Sequence, residues 1–337
     1  MKIALGHRIQ TGPWGGGNRF AASLAQALLD RGDQLVFTLD HQDIDLILLV
    51  DPRSRNPAVP FTPGQVFRYR RHHPKVRVLH RINECDQRKG TRSMNVRLKL
   101  ANYVADHTVF ISRWLSGLDL WRRDGGSSVI MNGADETIFN SVGHVPWDGN
   151  EPIRLVTHHW GGHALKGLDI YQRLDAALEA PPWKNRLAVT YIGNLPDSAD
   201  FRCIRHLPPL DGEKLAQELR RHHFYVTGTQ NEPAGMHHIE GALCGLPLLF
   251  RNSGALPEYC SPYGVSFQGP DDVLEALKRL ISEHATYQQA LAQYPYTSKR
   301  MVAEYLELID RLVGEKTPAS RSAWRDPIAA LLVQILW

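Results

Sequence analysis

The residues most able to do chemistry stand in "QNEPAGMHHIEGALCGLPLLF", where Glu232 and Glu240 flank a Pro-Ala-Gly turn and a His pair. A loop carboxylate accepts hydrogen bonds from sugar hydroxyls, and a second one further on clamps a diol such as ribose. Pro233 suits a first helical turn and Gly245 a helix end, so the spacing predicts a helix from about Pro233 to Gly245. Its first amides, near Ala234 and Gly235, then lack partners and can hold an anion. Against this stands the plainer alternative that Glu232 caps the helix and Glu240 lies on a solvated face.

Positioning these groups requires a scaffold, and the rest of the chain describes one. Short apolar strands alternate with amphipathic helices in "KIALGH", "RFAASLAQALLDRG", "DLILLV", "VRVLHRI", "SMNVRLKLANYVAD" and "HTVFIS". The pattern lapses in "NSVGHVPWDGN" and restarts at "IRLVTHH". Such alternation predicts parallel sheets covered by helices on both faces. The expected fold class is α/β, with two Rossmann-like doubly wound domains facing across a cleft. Their boundaries are placed at 1–145 and 146–312, followed by a tail at 313–337. The tail segment "IAALLVQILW" is apolar but too short to span a bilayer. It is expected to dock on the body, with contact to a membrane face as the other outcome.

The 337 residues carry a net charge of only +4, with Lys and Arg spread along the chain, which argues against a nucleic-acid binder. The four cysteines show no CxxC spacing, as expected of reduced thiols in a cytoplasmic protein, one able to lie at the inner face of the membrane. Sixteen histidines form no HExxH and no zinc-site spacing, so neither a metal nor another cofactor is expected. Asp43 and Asp45 read as a strand entry. "GPWGGGN" follows the first strand, and Gly15, Gly16 and Gly17 are expected to take left-handed conformations that let a ligand approach closely. It matches neither the dinucleotide fingerprint nor a Walker A loop. His80 reads as the last residue of its strand, at the edge where such sheets bind ligands. The loop after it carries Arg81, Asn83 and Asp86 and is expected to recognise an acceptor.

As a set these pieces resemble the retaining GT-B glycosyltransferases of family four. The resemblance rests on the Glu232–Glu240 spacing with Pro233, Gly235 and "CGLP". Gly254, Pro257-Glu258, "VADHTVFIS", "VIMNGADETIF" and "LKGLDIY" follow the same pattern, and together they cover most of residues 1–312. It implies a hexosyltransferase moving sugar from a UDP- or GDP-linked donor to a hydroxyl of a glycan, lipid-linked or small-molecule acceptor, without a metal. Glu240 would bind the ribose, and Glu232 the donor sugar. The backbone of Ala234, Gly235 and Met236 would meet sugar and diphosphate, and Lys166 the leaving phosphate. Gly16, Gly17 and Gly254 would close on the donor, and His80 would stand near the reacting sugar. The chain departs from the pattern where an Arg is expected, at Trp160 and Gly161; His159, His163 and Arg251 are the candidates to replace it. A GT-B-fold sugar-nucleotide epimerase and a non-catalytic nucleotide-sugar-binding protein are the alternative readings. The donor base, the acceptor and the oligomeric state are not written in the sequence.

Overall fold

A computed structural model describes residues 1–12, 15–53, 56–122, 125–150, 152–315 and 327–337. The chain divides into two compact units. The first comprises residues 1–11, 16–131 and 300–337, and the second residues 12–15 and 132–299.

The first unit is a parallel six-stranded sheet. Its chain order is β1 (Lys2–Leu5), α1 (Gly16–Asp30), β2 (Gln34–Val36), β3 (Leu46–Leu49), α2 (Pro63–His72), β4 (Arg77–Ile82), α3 (Met94–Ala101), β5 (His107–Phe110), α4 (Arg113–Ser116) and β6 (Gly126–Val129). The spatial order is β2-β1-β3-β4-β5-β6. Central strands β3, β4 and β5 are buried on both faces, which explains the unbroken apolar run of β3; β4 buries Arg77, His80 and Arg81 as well, and β5 His107 and Thr108. Helix α2 was not legible in the alternation. Thr62 caps it in a reciprocal box with Gln65, and Pro63 opens its first turn.

The second unit repeats the scheme. It runs β7 (Ile153–His159), α5 (Leu168–Ala177), β8 (Leu187–Gly193), β9 (Arg205–Leu207), α6 (Gly212–Arg220), β10 (Phe224–Thr227), α7 (His237–Leu243), β11 (Leu248–Arg251), α8 (Leu256–Cys260), β12 (Gly264–Phe267), α9 (Val273–Ser282) and α10 (His284–Leu291). Its parallel sheet has the order β12-β11-β10-β7-β8-β9. Each sheet reverses direction of growth beside its first strand, which is the doubly wound arrangement expected.

Two helices remain, and both pack into the first unit. Helix α11 (Ser298–Gly314) sends Met301, Tyr305, Leu308, Ile309 and Leu312 into the core containing Ile3, Leu5, Phe20 and Leu24. Helix α12 (Pro327–Leu336) buries Val333 in the cluster of Phe61, Phe67 and Tyr103. The division therefore differs from the expected cuts near 145 and 312. The first unit stops at Met131, because Asn132 and Gly133 already bind elements of the second. The Asn132 amide donates to the Tyr259 hydroxyl at 2.7 Å, and Gly133 lies against the Thr297 backbone with no room for a side chain.

Cys85, Cys203, Cys244 and Cys260 are free thiols. Among the described residues no helix is long and apolar enough to cross a membrane.

Candidate functional site

The carboxyl ends of β7, β8, β10 and β11 gather the second unit's reactive side chains, at the edge where open α/β sheets bind ligands. Helix α7 starts at His237, not at Pro233 as expected, and has seven residues. The reason is a set of competing hydrogen bonds. The Ala234 carbonyl accepts from the Asn132 side-chain amide at 2.9 Å instead of from the helix ladder. Asn231 is held at a positive φ of 50°, and its amide donates to the Ser253 hydroxyl. Residues 233–236 thus form a loop. Among the described residues, no intramolecular acceptor meets the amides of Ala234, Gly235 or Met236. Gly235 is required there, since a Cβ would lie 2.5 Å from the His237 ring and 3.1 Å from the Glu232 carboxyl carbon.

Both carboxylates are buried and each has a basic partner. Lys166 donates to Glu232 at 2.6 Å, with both side chains almost fully shielded from solvent. His158 Nε2 lies 2.7 Å from Glu240. The alternative of a helix cap and a solvated face is therefore not what the chain adopts: Glu232 is 1% and Glu240 2% exposed. His158 is set from below by Tyr225, whose hydroxyl lies 3.1 Å from His158 Nδ1. Burial pushes the Tyr225 phenol well above its ordinary value, so it keeps its proton. Tyr225 then donates to Nδ1, which leaves Nε2 as the donor to Glu240. Helix α7 approaches closely enough for this because residue 241 is glycine; a Cβ would stand 2.5 Å from the Tyr225 ring.

A second layer of neutral rings supports the first. His237 Nε2 pairs with the Thr227 hydroxyl at 2.9 Å, and His159 Nε2 with Tyr171 at 2.5 Å. The same Tyr171 hydroxyl accepts from the Gly228 amide at 3.3 Å, tying the start of the loop to α5. Desolvation lowers the pKa of His159 and His237 well below normal and brings His238 to about 4. All three are uncharged at neutral pH. His237 and His238 are neutral packing for the pair of glutamates.

The candidates for the missing Arg fare differently. Arg251 is committed to an ion pair with Asp169 and to the carbonyls of Gly228 and Gln268, so it braces the loop from behind. His159 is neutral and buried. Lys166 is the buried cation beside Glu232. Gly254 has φ of +63°, and a Cβ on it would strike the Glu232 backbone at 2.5 Å; Ala255 next to it donates to the Glu232 carbonyl. This loop positions Glu232 through its main chain.

In the first unit the expectations shift. Gly16 and Gly17 are the first residues of α1, in right-handed helix, and the positive φ falls on Gly12 instead. Asn18 fixes this entry by exchanging hydrogen bonds with both backbone groups of Gln10. The intervening Pro13 and Trp14 lie outside the described residues. His80 does not end β4 but sits inside it, fully buried, its Nδ1 accepting from Asn102 at 3.1 Å, and burial lowers its pKa to about 3. Arg81 is buried too, with its guanidinium 3.8 Å above the Phe20 ring. Asp86 accepts from the Met94 and Asn95 amides and from Thr91, so it organises the start of α3. Burial raises its pKa, but these hydrogen bonds outweigh it and hold the carboxyl below its ordinary value. Asn83 is partly exposed, close to Gly17. The chain places a further group at this sheet edge that the sequence reading passed over: Asp51, chelated by Arg53 and Asn56 just after β3.

Among the described residues no three His, Cys, Asp or Glu side chains are arranged to hold a metal.

No family model matches this chain, and no curated protein matches it in sequence. Solved structures do match in fold. Sucrose-phosphate synthase from Thermosynechococcus elongatus aligns with a TM-score of 0.63 at 14% identity, over 92% of this chain and 98% of that one. Anabaena HepE in complex with UDP-glucose gives 0.64 at 15% identity, over 93% and 100%. A glycosyltransferase from Rickettsia africae gives 0.63 at 13%, over 94% and 99%. Two parallel six-stranded sheets with their helices, matched along nearly the whole of these chains, define the GT-B fold.

Proposed function

We propose that this chain is a retaining glycosyltransferase of the family-four type that takes its sugar from a nucleoside-diphosphate donor. One observation carries the reading: two buried glutamates with seven residues between them, each with a basic partner, beside a loop of unpaired amides at the carboxyl edge of the second sheet. The GT-B fold supports it, and so do the neighbours, among them HepE solved with UDP-glucose and with UDP. In this reading Glu240, oriented by His158, accepts from the ribose hydroxyls. Glu232 meets the donor sugar, and the amides of Ala234 to Met236 meet the diphosphate.

Lys166 supplies positive charge where the leaving group's charge develops. The bond from the sugar's anomeric carbon to the diphosphate oxygen breaks, and a bond to the acceptor oxygen forms on the same face. The acceptor proton passes to the departing phosphate oxygen. No step needs a metal, so a chelator leaves the rate unchanged. The base would lie near Leu207 to Leu210, at the carboxyl end of β9 and just after it.

A second reading is favoured by one specific observation. Trp160 and Gly161 stand where the resemblance puts a phosphate-binding Arg, and Arg251 is occupied elsewhere, which suits a protein that binds nucleotide sugars without turning them over. A panel of nucleotide sugars separates the possibilities. UDP- or GDP-sugars are expected to raise the melting temperature, and Glu240→Ala to diminish the shift. Absence of a shift with every donor overturns both readings. A shift with no hydrolysis or transfer supports the binding protein, and isomerised donor without acceptor supports an epimerase.

A further inference from the structure

Helix α12 is built the wrong way round for a helix at rest on a protein surface. The stripe facing the first unit is Ala329, Ala330, Val333 and Trp337, of which Val333 is fully buried. The opposite stripe is Ile328, Leu331, Leu332, Ile335 and Leu336, at spacings of three, four, seven and eight from the first. Their exposures are 70, 57, 38, 69 and 48%. An ordinary surface helix buries its larger apolar residues and exposes polar ones. Here the small residues are inside and the large ones outside, as one continuous strip of the kind that marks an interaction surface. The helix is anchored all the same: the Trp337 indole donates to the Pro52 carbonyl at 2.6 Å, and the Thr62 hydroxyl to the Trp337 carbonyl at 3.4 Å.

The charge around the strip selects what covers it. Helix α12 has no charged residue, and the two helices it lies against, α2 and α3, contain no Asp or Glu. Arg68, Arg71 and Arg97 on them are exposed, as are Lys75 just after α2 and Arg92 just before α3. A second copy of the chain, paired face to face, would set the same cations against each other. An anionic bilayer face offers acyl chains to the strip and phosphates to the cations. With ten residues the helix is about 15 Å long, half of the roughly 30 Å hydrocarbon core, so it fits in the plane of the interface and does not cross it.

We propose that the exposed strip of α12, with the basic residues of α2 and α3 beside it, is a docking surface for an anionic membrane. The strip sinks to the headgroup boundary while the cations meet lipid phosphates. This stands apart from the nucleotide-sugar reading, because it uses none of the donor-site residues.

The test is cosedimentation of the full chain with phosphatidylcholine vesicles and with equimolar phosphatidylcholine–phosphatidylglycerol vesicles. Binding is expected to the anionic vesicles and to weaken with salt. Leu331→Ser with Ile335→Ser is expected to abolish it. Arg68→Glu with Arg71→Glu is expected to weaken it about fivefold or more per charge, on anionic vesicles alone. These are exposed positions, so melting temperature and the nucleotide-sugar thermal shift should be unchanged in both variants. Equal binding by wild type and variants, or no binding to anionic vesicles, overturns the proposal. A dimer in sedimentation equilibrium that Leu331→Ser dissociates also overturns it, by making the strip a contact between copies.

Discussion

Glu240 and Glu232 sit within one buried region but are held by different chemistries, and this separates their roles. A Lys–Glu pair this buried is costly to break, on the order of 3–5 kcal/mol when one partner is removed. His158 holds Glu240 by a hydrogen bond whose direction Tyr225 sets. Replacing His158 by Phe should leave the fold in place and weaken nucleoside-diphosphate binding about tenfold, the loss of one hydrogen bond to a charged group. His158→Gln should recover part of it, as read by titration calorimetry. The spacing of the two glutamates was legible because it is local. His158 was not, because its partner lies 82 residues away along the chain. The only local sign was a His-His pair at the end of an apolar strand, which does not distinguish His158 from His159.

At the scale of elements, α7 is placed by what it lacks. Gly241 costs helix propensity, yet it lets the Tyr225 ring slide beneath the helix. Gly241→Ala should destabilise the protein by about 1–3 kcal/mol through overpacking, measured by urea unfolding. It should also weaken nucleotide binding by displacing Glu240 next to it. A polar or charged substitution at exposed Gln289 of α10 serves as a control, with little change expected. The alternation of strands and helices was readable, since strands buried on both faces are mostly apolar. The start of α7 was not. Pro233 satisfies a local preference, but the Ala234 carbonyl is taken by Asn132, a long-range bond that no local pattern records. The glycine loop was misjudged for a related reason: Gly16 and Gly17 fit a helix start as well as a left-handed turn.

For the whole molecule, the neutral buried histidines set a pH limit. His80 is held to about 3, and His107 and His238 to about 4, against an ordinary 6.5. Burial is the first cause in each case. The unfolded chain takes up protons below 6.5 that the folded one refuses, so stability is complete above that pH. It falls as the pH drops from 6.5 toward 4, by as much as a few kcal/mol per residue. Melting temperature should decline over this window, and His238→Phe should flatten the decline. Which sheet α11 serves was also beyond the sequence, because an amphipathic helix shows that it has a buried face and not where that face goes. Its return to the first unit has a consequence for synthesis. Apart from Gly12 to Gly15, the second unit is one uninterrupted stretch and is complete once residue 299 has been made. The first unit, begun at Met1, still lacks the helix that closes over Ile3, Leu5 and Phe20. On the ribosome the second unit can finish folding first, while the first waits with an apolar face uncovered until α11 has been made.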